Sequence, residues 1–376
     1  MDPAESVVQG DTVTDHATGL PASMNVLIIG KFYPEGFAEH IAETLADMGH
    51  LPHRYESGPR YTLTSNRWLR RGNQLVAAAH ALYSKTAVHQ DRSTKQLLAF
   101  VAGKPIGLTI VCYDFLTPFQ VAELRRVTRG PVVLWFPDAV SNFRGMMFLA
   151  APYNALFFKE PFAVRIIREE LGRNAFYLPE CCNPRYHRPL AVTAEEQMRY
   201  GCEISTAGNL HAARVAFFSQ LTDYDVKIWG PGSPTWLDTT VISKMIQHHF
   251  VANEEKSKCF VSSKIVINNL HPAEVFGTNV RTFEVAATGS FQLVSWRPGL
   301  GQLFVENEEI VAFRGMSDLK QKIDHFLVYD AQRRRIGLNG QRRTLGEHTY
   351  EKRLQLLLQT TFDGARGFPM SDEYVF

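Results

Sequence analysis

Short apolar runs of four to six residues, each followed by a loop and an amphipathic stretch, recur along most of this chain. The first is 25–29 (NVLII), followed by Gly30, the loop KFYPEG, a helical pattern over 38–48 and Gly49. Further runs stand at 108–113 (LTIVCY), 132–136 (VVLWF), 155–158 (ALFF) and 175–178, with helical patterns at 119–127 and 163–171. The runs are apolar throughout and do not alternate. That is the pattern of parallel strands covered on both faces, and helices between them supply the cover. Residues 60–105 read as mostly helical, with Arg67, Arg70 and Arg71 clustered on an otherwise apolar stretch. The fold class is therefore α/β, built on a parallel sheet.

The alternation breaks once, at PECCNPRYHRP (179–189), where three prolines in eleven positions resist regular structure. A second series then begins. It has strands at 203–206, 226–229, 265–268, 291–295 and 309–312, and helices at 212–221, 280–287, 317–327 and 347–358. The chain thus reads as two Rossmann-like halves, 24–189 and 190–346, behind a polar, disordered lead-in (1–23). A helical segment (347–362) and a polar tail (363–376) follow. A length of 376 residues fits two domains.

Composition narrows the function. Hydrophobic residues make up 45 %, which excludes wholesale disorder. Forty basic residues against 38 acidic ones give a net charge of +2, without the basic excess of a dedicated nucleic-acid binder. The five cysteines, Cys112, Cys181, Cys182, Cys202 and Cys259, show no Cys-x-x-Cys spacing, so neither a zinc site nor a disulfide framework is indicated. The N-terminal residues lack the basic and apolar regions of a signal peptide. The longest apolar stretch, 146–158, is broken by Pro152 and Asn154 and is too short to span a bilayer. The expectation is a cytoplasmic protein without a transmembrane segment, with room for peripheral membrane contact.

Open α/β sheets bind ligands at the carboxyl ends of their strands. No G-x-G-x-x-G fingerprint follows the first strand, and Gly230-Pro231-Gly232 has the wrong continuation. No Walker loop and no G-x-S-x-G elbow occur. Asp223 and Asp225 precede a strand, at the end opposite the ligand side, and read as solvated turn residues; no metal site is expected. The informative stretch is 269–289 (NLHPAEVFGTNVRTFEVAATG). It leaves a buried strand and enters a helix near Asn279. Gly277 permits close backbone approach. The helix N-terminus offers free N–H groups to a phosphate, Arg281 in the first turn can pair with that phosphate, and Glu284 can accept hydrogen bonds from two ribose hydroxyls. Spacing alone equally allows a capping Arg281 and a solvated Glu284.

The stretch from Asn279 to Arg353 resembles the signature of CgeB-type glycosyltransferases, relatives of glycosyltransferase family 4. It carries N-x-R-x-F-E (Asn279 to Glu284), then Gly289, G-L-x-x-x-F (Gly299 to Phe304), E-E-I, G-x-x-R (Gly340 to Arg343) and H-T-Y-x-x-R (His348 to Arg353). The linker LPECCNPRYHRP is similar to the family's L-P-x-x-x-x-P-x-x-H-x-P, and YPEGFAEHIAETLADMGH to the family 4 opening. The resemblance implies the GT-B fold. Two Rossmann-like domains face each other across a cleft, with a nucleotide-sugar held by the C-terminal one, an acceptor by the N-terminal one, and the last helix packed back on the N-terminal domain.

It also implies roles. Glu284 matches the ribose-binding carboxylate, and Phe276, Gly277, Thr278 and Asn279 match the loop whose backbone approaches the phosphates and sugar. Gly208, Asn209 and Arg214 follow the first strand of the second half, where family 4 enzymes grip the diphosphate; Asn209 stands in place of an arginine and Arg214 in place of a lysine. Gly36, Gly230 and His271 complete the expected nucleotide-sugar set; Gly36 keeps one of two N-terminal loop glycines, and Phe37 replaces the other. Glu274 precedes Glu284 by ten positions where the family has eight.

The resulting expectation is a metal-independent glycosyltransferase without a cofactor, using a UDP- or GDP-linked sugar. Its acceptor would be a glycan, protein, lipid or small molecule. Fixed N–H donors with Arg214 and Arg281 can stabilise a departing diphosphate. Glu35, His40 and Asp138 are the candidates for base or nucleophile. His40 also reads as a helix-surface residue and Asp138 as an N-cap. A nucleotide-sugar epimerase or hydrolase, or a non-catalytic nucleotide-sugar-binding protein, remains as the alternative.

Overall fold

The computed structural model describes residues 23–56, 67–83, 86–143, 145–364 and 367–370. The expected lead-in, apart from Ser23, and most of the expected tail lie outside these.

In chain order the first half comprises β1 (Asn25–Gly30), α1 (Phe37–Asp47), β2 (Leu51–Glu56), α2 (Arg67–Tyr83), α3 (Ala87–Val101), β3 (Ile106–Cys112), α4 (Pro118–Val127), β4 (Val132–Phe136), α5 (Met147–Ala150), β5 (Ala155–Phe158), α6 (Pro161–Glu169) and β6 (Ala175–Tyr177). The second comprises α7 (Ala194–Tyr200), β7 (Cys202–Ala207), α8 (Ala212–Phe218), β8 (Val226–Trp229), α9 (Asn253–Val261), β9 (Ser263–Asn268), α10 (Val280–Ala287), β10 (Gln292–Ser295), α11 (Leu300–Leu303), β11 (Val311–Phe313), α12 (Met316–Val328), α13 (Asp330–Glu347) and α14 (Tyr350–Phe362).

Two sheets result, ordered β2-β1-β3-β4-β5-β6 and β11-β10-β9-β7-β8, with every pairing parallel. In the second sheet the strand order reverses between β7 and β9. A crevice outside the carboxyl ends of a sheet opens at such a switch point, here between the loops that follow β7 and β9.

The interior strands β3, β4 and β5 are buried almost throughout because helices cover both faces. β2 (LPHRYE) is an edge strand, half-exposed and polar, and has no apolar run to announce it. α14 belongs to the first half's core. Its Tyr350, Leu354, Leu357 and Leu358 are buried with Ile41, Leu45 and Trp135, a gain of about 1.5–3 kcal/mol for each large apolar side chain. Phe368, in the expected polar tail, packs on Tyr177 with ring centroids 5.6 Å apart, and its N–H donates to the Tyr177 carbonyl. Arg333, on α13, is buried: it donates to the Phe326 carbonyl and to Asp330. All five cysteines are free.

Candidate functional site

A cleft of about 380 Å³ lies between the two halves, lined on one side by the loops after β7, β8 and β9 and on the other by Glu35, Asp138, Lys159 and Glu180. Of the sequence-stated candidates it gathers Glu35, Asp138, Gly208, Asn209, Gly230, Asn279, Arg281 and Glu284.

Two arginines converge beneath Gly208: Arg281 lines the cleft and Arg214 lies buried behind it. Arg214, in the first turn of α8, is buried; it donates to Thr206 Oγ1 and to the carbonyls of Ala207 and Asn209, while its Nε has no partner. Arg281, in the first turn of α10, donates to Asn268 Oδ1 over 3.2 Å. Asn268 also holds Asn279, whose side chain caps α10 by accepting from the Thr282 N–H. Gly208, with φ +130°, lies over both guanidiniums: a Cβ there would stand 2.4 Å from Arg281 Nη2 and 2.9 Å from Arg214 Nη1. Gly230 packs directly beneath the Gly208 carbonyl.

Among the described residues, neither guanidinium has a carboxylate within salt-bridge distance. Burial, reinforced for Arg214 by its like-charged neighbour, disfavours the charged form of both. A buried and a half-buried cation beside a glycine loop and a helix N-terminus form a seat for a doubly charged anion.

Glu284 does not face the cleft alone. Its Oε1 accepts from the Lys256 ammonium at 2.8 Å, and the same ammonium donates to Glu35 Oε2 at 2.8 Å. His187 Nε2 lies 3.6 Å from Glu284 and 3.8 Å from Glu35. Burial opposes ionisation of both carboxyls, but Lys256 and His187 outweigh it and hold them below the usual carboxylate range. Glu35, His187 and Glu284 bring ligand-type atoms within 4.8 Å of one another. The cation neutralising the two carboxylates is the lysine ammonium. Lys256 sits on α9 (NEEKSKCFV), a polar segment with no helical periodicity, and sequence reasoning missed it; His187 belongs to the proline-rich linker.

The 276–279 loop differs from its expected role. The N–H groups of Phe276 and Gly277 both donate, at 3.1 Å, to Glu160 Oε2 from the turn after β5. Gly277 does permit a close approach, but what approaches is the first half of the chain: a Cβ there would lie 2.7 Å from the Lys159 carbonyl. Phe276 packs on Phe162, and Thr278 is buried against Thr282. His271 lies outside the cleft lining, exposed, its ring 4.8 Å from that of His211. Glu274 is bound by the Lys159 ammonium at 2.8 Å, with Glu180 at 3.6 Å. Burial pushes Glu180 up to about 8 and Glu160 to about 7.

The catalytic candidates separate. Asp138 lines the cleft, its carboxylate accepting from the Ala139 N–H and the Asn142 amide; it does not cap the turn at 140–142. Glu35 is engaged by Lys256 and by the Asn253 N–H. His40 is buried and not on the helix surface: its ring meets Tyr350 and Asn183, and it borders a separate hollow with Tyr33 and Tyr186. Gly36 lies at the N-cap of α1, outside the cleft.

Residues 213–359 match the family model described as "Glycosyl transferase-like". A search of curated proteins gave no match. Among solved structures, sucrose-phosphate synthase from Thermosynechococcus elongatus superposes with a TM-score of 0.65 at 13 % identity, covering 91 % of this chain and 100 % of that one. Anabaena HepE in complex with UDP-glucose gives 0.59 at 11 %, covering 91 % and 100 %. A UDP-forming α,α-trehalose-phosphate synthase from Burkholderia xenovorans gives 0.55 at 13 %, covering 91 % and 98 %. The chain has the GT-B fold. In this GT-B chain the Arg214–Arg281 pair lies at the switch point of the second sheet, and the Asp138 wall belongs to the first.

Proposed function

We propose that the chain transfers a sugar from a nucleoside-diphosphate-sugar, UDP-linked by analogy with the ligands of HepE, to an acceptor held against the first half. The observation that carries this reading is the pair of guanidiniums under Gly208, Arg214 buried and Arg281 half-buried, which have no carboxylate within salt-bridge distance among the described residues and lie where the cleft meets the N-terminus of α10. A diphosphate seated there would exchange its water for two cations and helix N–H groups, and the same groups would stabilise the charge that develops as the glycosidic bond to phosphate breaks. The two cations do work that a divalent ion would otherwise do.

Glu284, fixed by Lys256, is the ribose-hydroxyl acceptor in this reading. Asp138 is the residue to activate the acceptor hydroxyl. It lines the cleft and, among the described residues, has no lysine bound to it, whereas Glu35 is consumed by Lys256 and His40 faces another hollow.

Thermal-shift titration with UDP, GDP, UDP-glucose and uridine tests the donor site, because a ligand binding only the folded state raises its apparent stability. A diphosphate-dependent shift lost in Arg214→Gln supports the reading. Equal shifts with uridine and UDP would overturn it. Product analysis with donor alone and with acceptor pools then separates hydrolysis from transfer.

A further inference from the structure

A larger hollow than the cleft opens at the other end of the second sheet, about 640 Å³ against about 380 Å³. Ser263 and Lys264, the first residues of β9, line it, as does Phe291, the residue before β10. The cleft lies at the carboxyl ends of the same strands. β9 runs about 17 Å from Ser263 to Asn268, the residue that holds Arg281. The length of α10 likewise separates Arg281, in its first turn, from Thr288, which follows its last turn and lines the hollow. The two hollows share no lining residue.

The walls carry hydroxyls. Ser262, Ser263, Thr288 and Ser290 all line the hollow; Ser263 is half-buried and the other three are buried. The Thr288 and Ser290 hydroxyls bond each other at 2.8 Å. Ser262 Oγ is buried and, among the described residues, has no hydrogen-bond partner. A hydroxyl taken from water without a partner is unfavourable, and an oxygen-rich ligand would relieve it.

Charge narrows the ligand. Lys264, Arg333 and Arg334 stand against a single acid in the lining, Asp330. Asp330 is already shared, one oxygen accepting from Arg333 and the other from Arg334. The ion-pair partner of Lys264, Glu203, stands off at 3.8 Å, beyond hydrogen-bond distance. An excess of positive charge beside a wall of hydroxyls selects an anion that itself carries hydroxyls. Guanidinium and ammonium groups pair with phosphate oxygens. Serine and threonine hydroxyls and the Gln197 amide, also in the lining, both donate to and accept from sugar hydroxyls.

We propose that this hollow is a second ligand site, taking a sugar phosphate. The site stands whether or not the glycosyl-transfer reading holds. The test is calorimetric titration of the full chain with glucose-6-phosphate, glucose and inorganic phosphate. Binding of glucose-6-phosphate is expected, with glucose and inorganic phosphate each weaker by about tenfold or more, because each makes only part of the contacts. Lys264→Gln with Arg334→Gln should weaken it by about tenfold or more through lost charge-assisted contacts. The melting temperature of that variant should stay near that of the wild type, since both side chains are exposed. Arg281→Gln should leave the binding unchanged, since Arg281 lines the cleft. The proposal fails if glucose-6-phosphate does not bind, if inorganic phosphate binds as tightly, or if the Lys264 and Arg334 variant binds as tightly as the wild type. It also fails if Arg281→Gln abolishes binding, because the ligand would then sit in the cleft.

Discussion

Lys256 donates to Glu284 across 2.8 Å, and the same ammonium reaches Glu35 of the other half at 2.8 Å. One buried cation therefore neutralises a buried and a half-buried carboxylate and ties the halves together. Lys256→Met would leave both acids with only the His187 imidazole beside them. The expected cost is about 3–5 kcal/mol, read from urea midpoints, because breaking a buried pair strands its partner. Adding Glu284→Gln to that variant should recover part of the loss. Simple additivity of the two substitutions would show that they do not interact.

Arg281 should behave in the opposite sense. Its guanidinium is half-buried beside Arg214, no carboxylate among the described residues reaches it, and burial outweighs the more distant attraction of Glu284, Glu35 and Glu180, an arrangement that costs stability in the free protein. Arg281→Gln should raise the stability of the free chain by on the order of 1 kcal/mol. It should lower UDP affinity by about tenfold or more, the worth of a lost charge-assisted hydrogen bond. Uridine affinity should hold. Calorimetric titration beside thermal melts separates these effects, and a variant losing both stability and affinity would assign Arg281 a structural role.

What the sequence made legible follows burial. β4, β5, β8 and α10 begin and end where the apolar pattern places them, because interior strands and a capped helix carry their own signals. β2 and α9 carry none: one is a polar edge and the other buries Lys256 through ion pairing, not through an apolar stripe. The convergence of Arg214 and Arg281 at the cleft could be anticipated from their places after two strands of one parallel sheet. The partner of Glu284 could not, since it lies 28 residues away on a helix whose periodicity is polar. Gly277 is legible as a point of close approach, yet nothing local indicates that Lys159 and Glu160 are what approaches.

That contact gives a third prediction. Gly277→Ala places a Cβ 2.7 Å from the Lys159 carbonyl and 3.3 Å from Glu160 Oε1, and backbone cannot yield as a flexible side chain would. The loop must move off the first half, at about 1–3 kcal/mol. Glu160→Gln keeps an acceptor for the Phe276 and Gly277 N–H groups and should cost less. Urea midpoints for the two variants check the ordering; a Gly277→Ala chain as stable as wild type would show that the loop is not clamped.

Two buried carboxyls of the first half set a pH dependence whose sign differs from that of an ordinary salt bridge. Burial lifts Glu180 from about 4.5 to about 8 despite Lys159 nearby, and Glu160 to about 7. Between about pH 4.5 and 8 the folded chain therefore retains protons that the unfolded chain has released. Stability contributed in this way is present at low pH and declines as pH rises through that window. Glu35, held low by Lys256 despite its burial, acts the other way, but only as pH falls below about 4.5. Glu180→Gln keeps the shape and removes the proton. Relative to wild type it should gain stability between about pH 5 and about pH 8, by on the order of a few kcal/mol. Urea unfolding of the two chains at both ends of that range gives the difference; a gap that stays constant with pH would mean that Glu180 ionises normally in the folded chain.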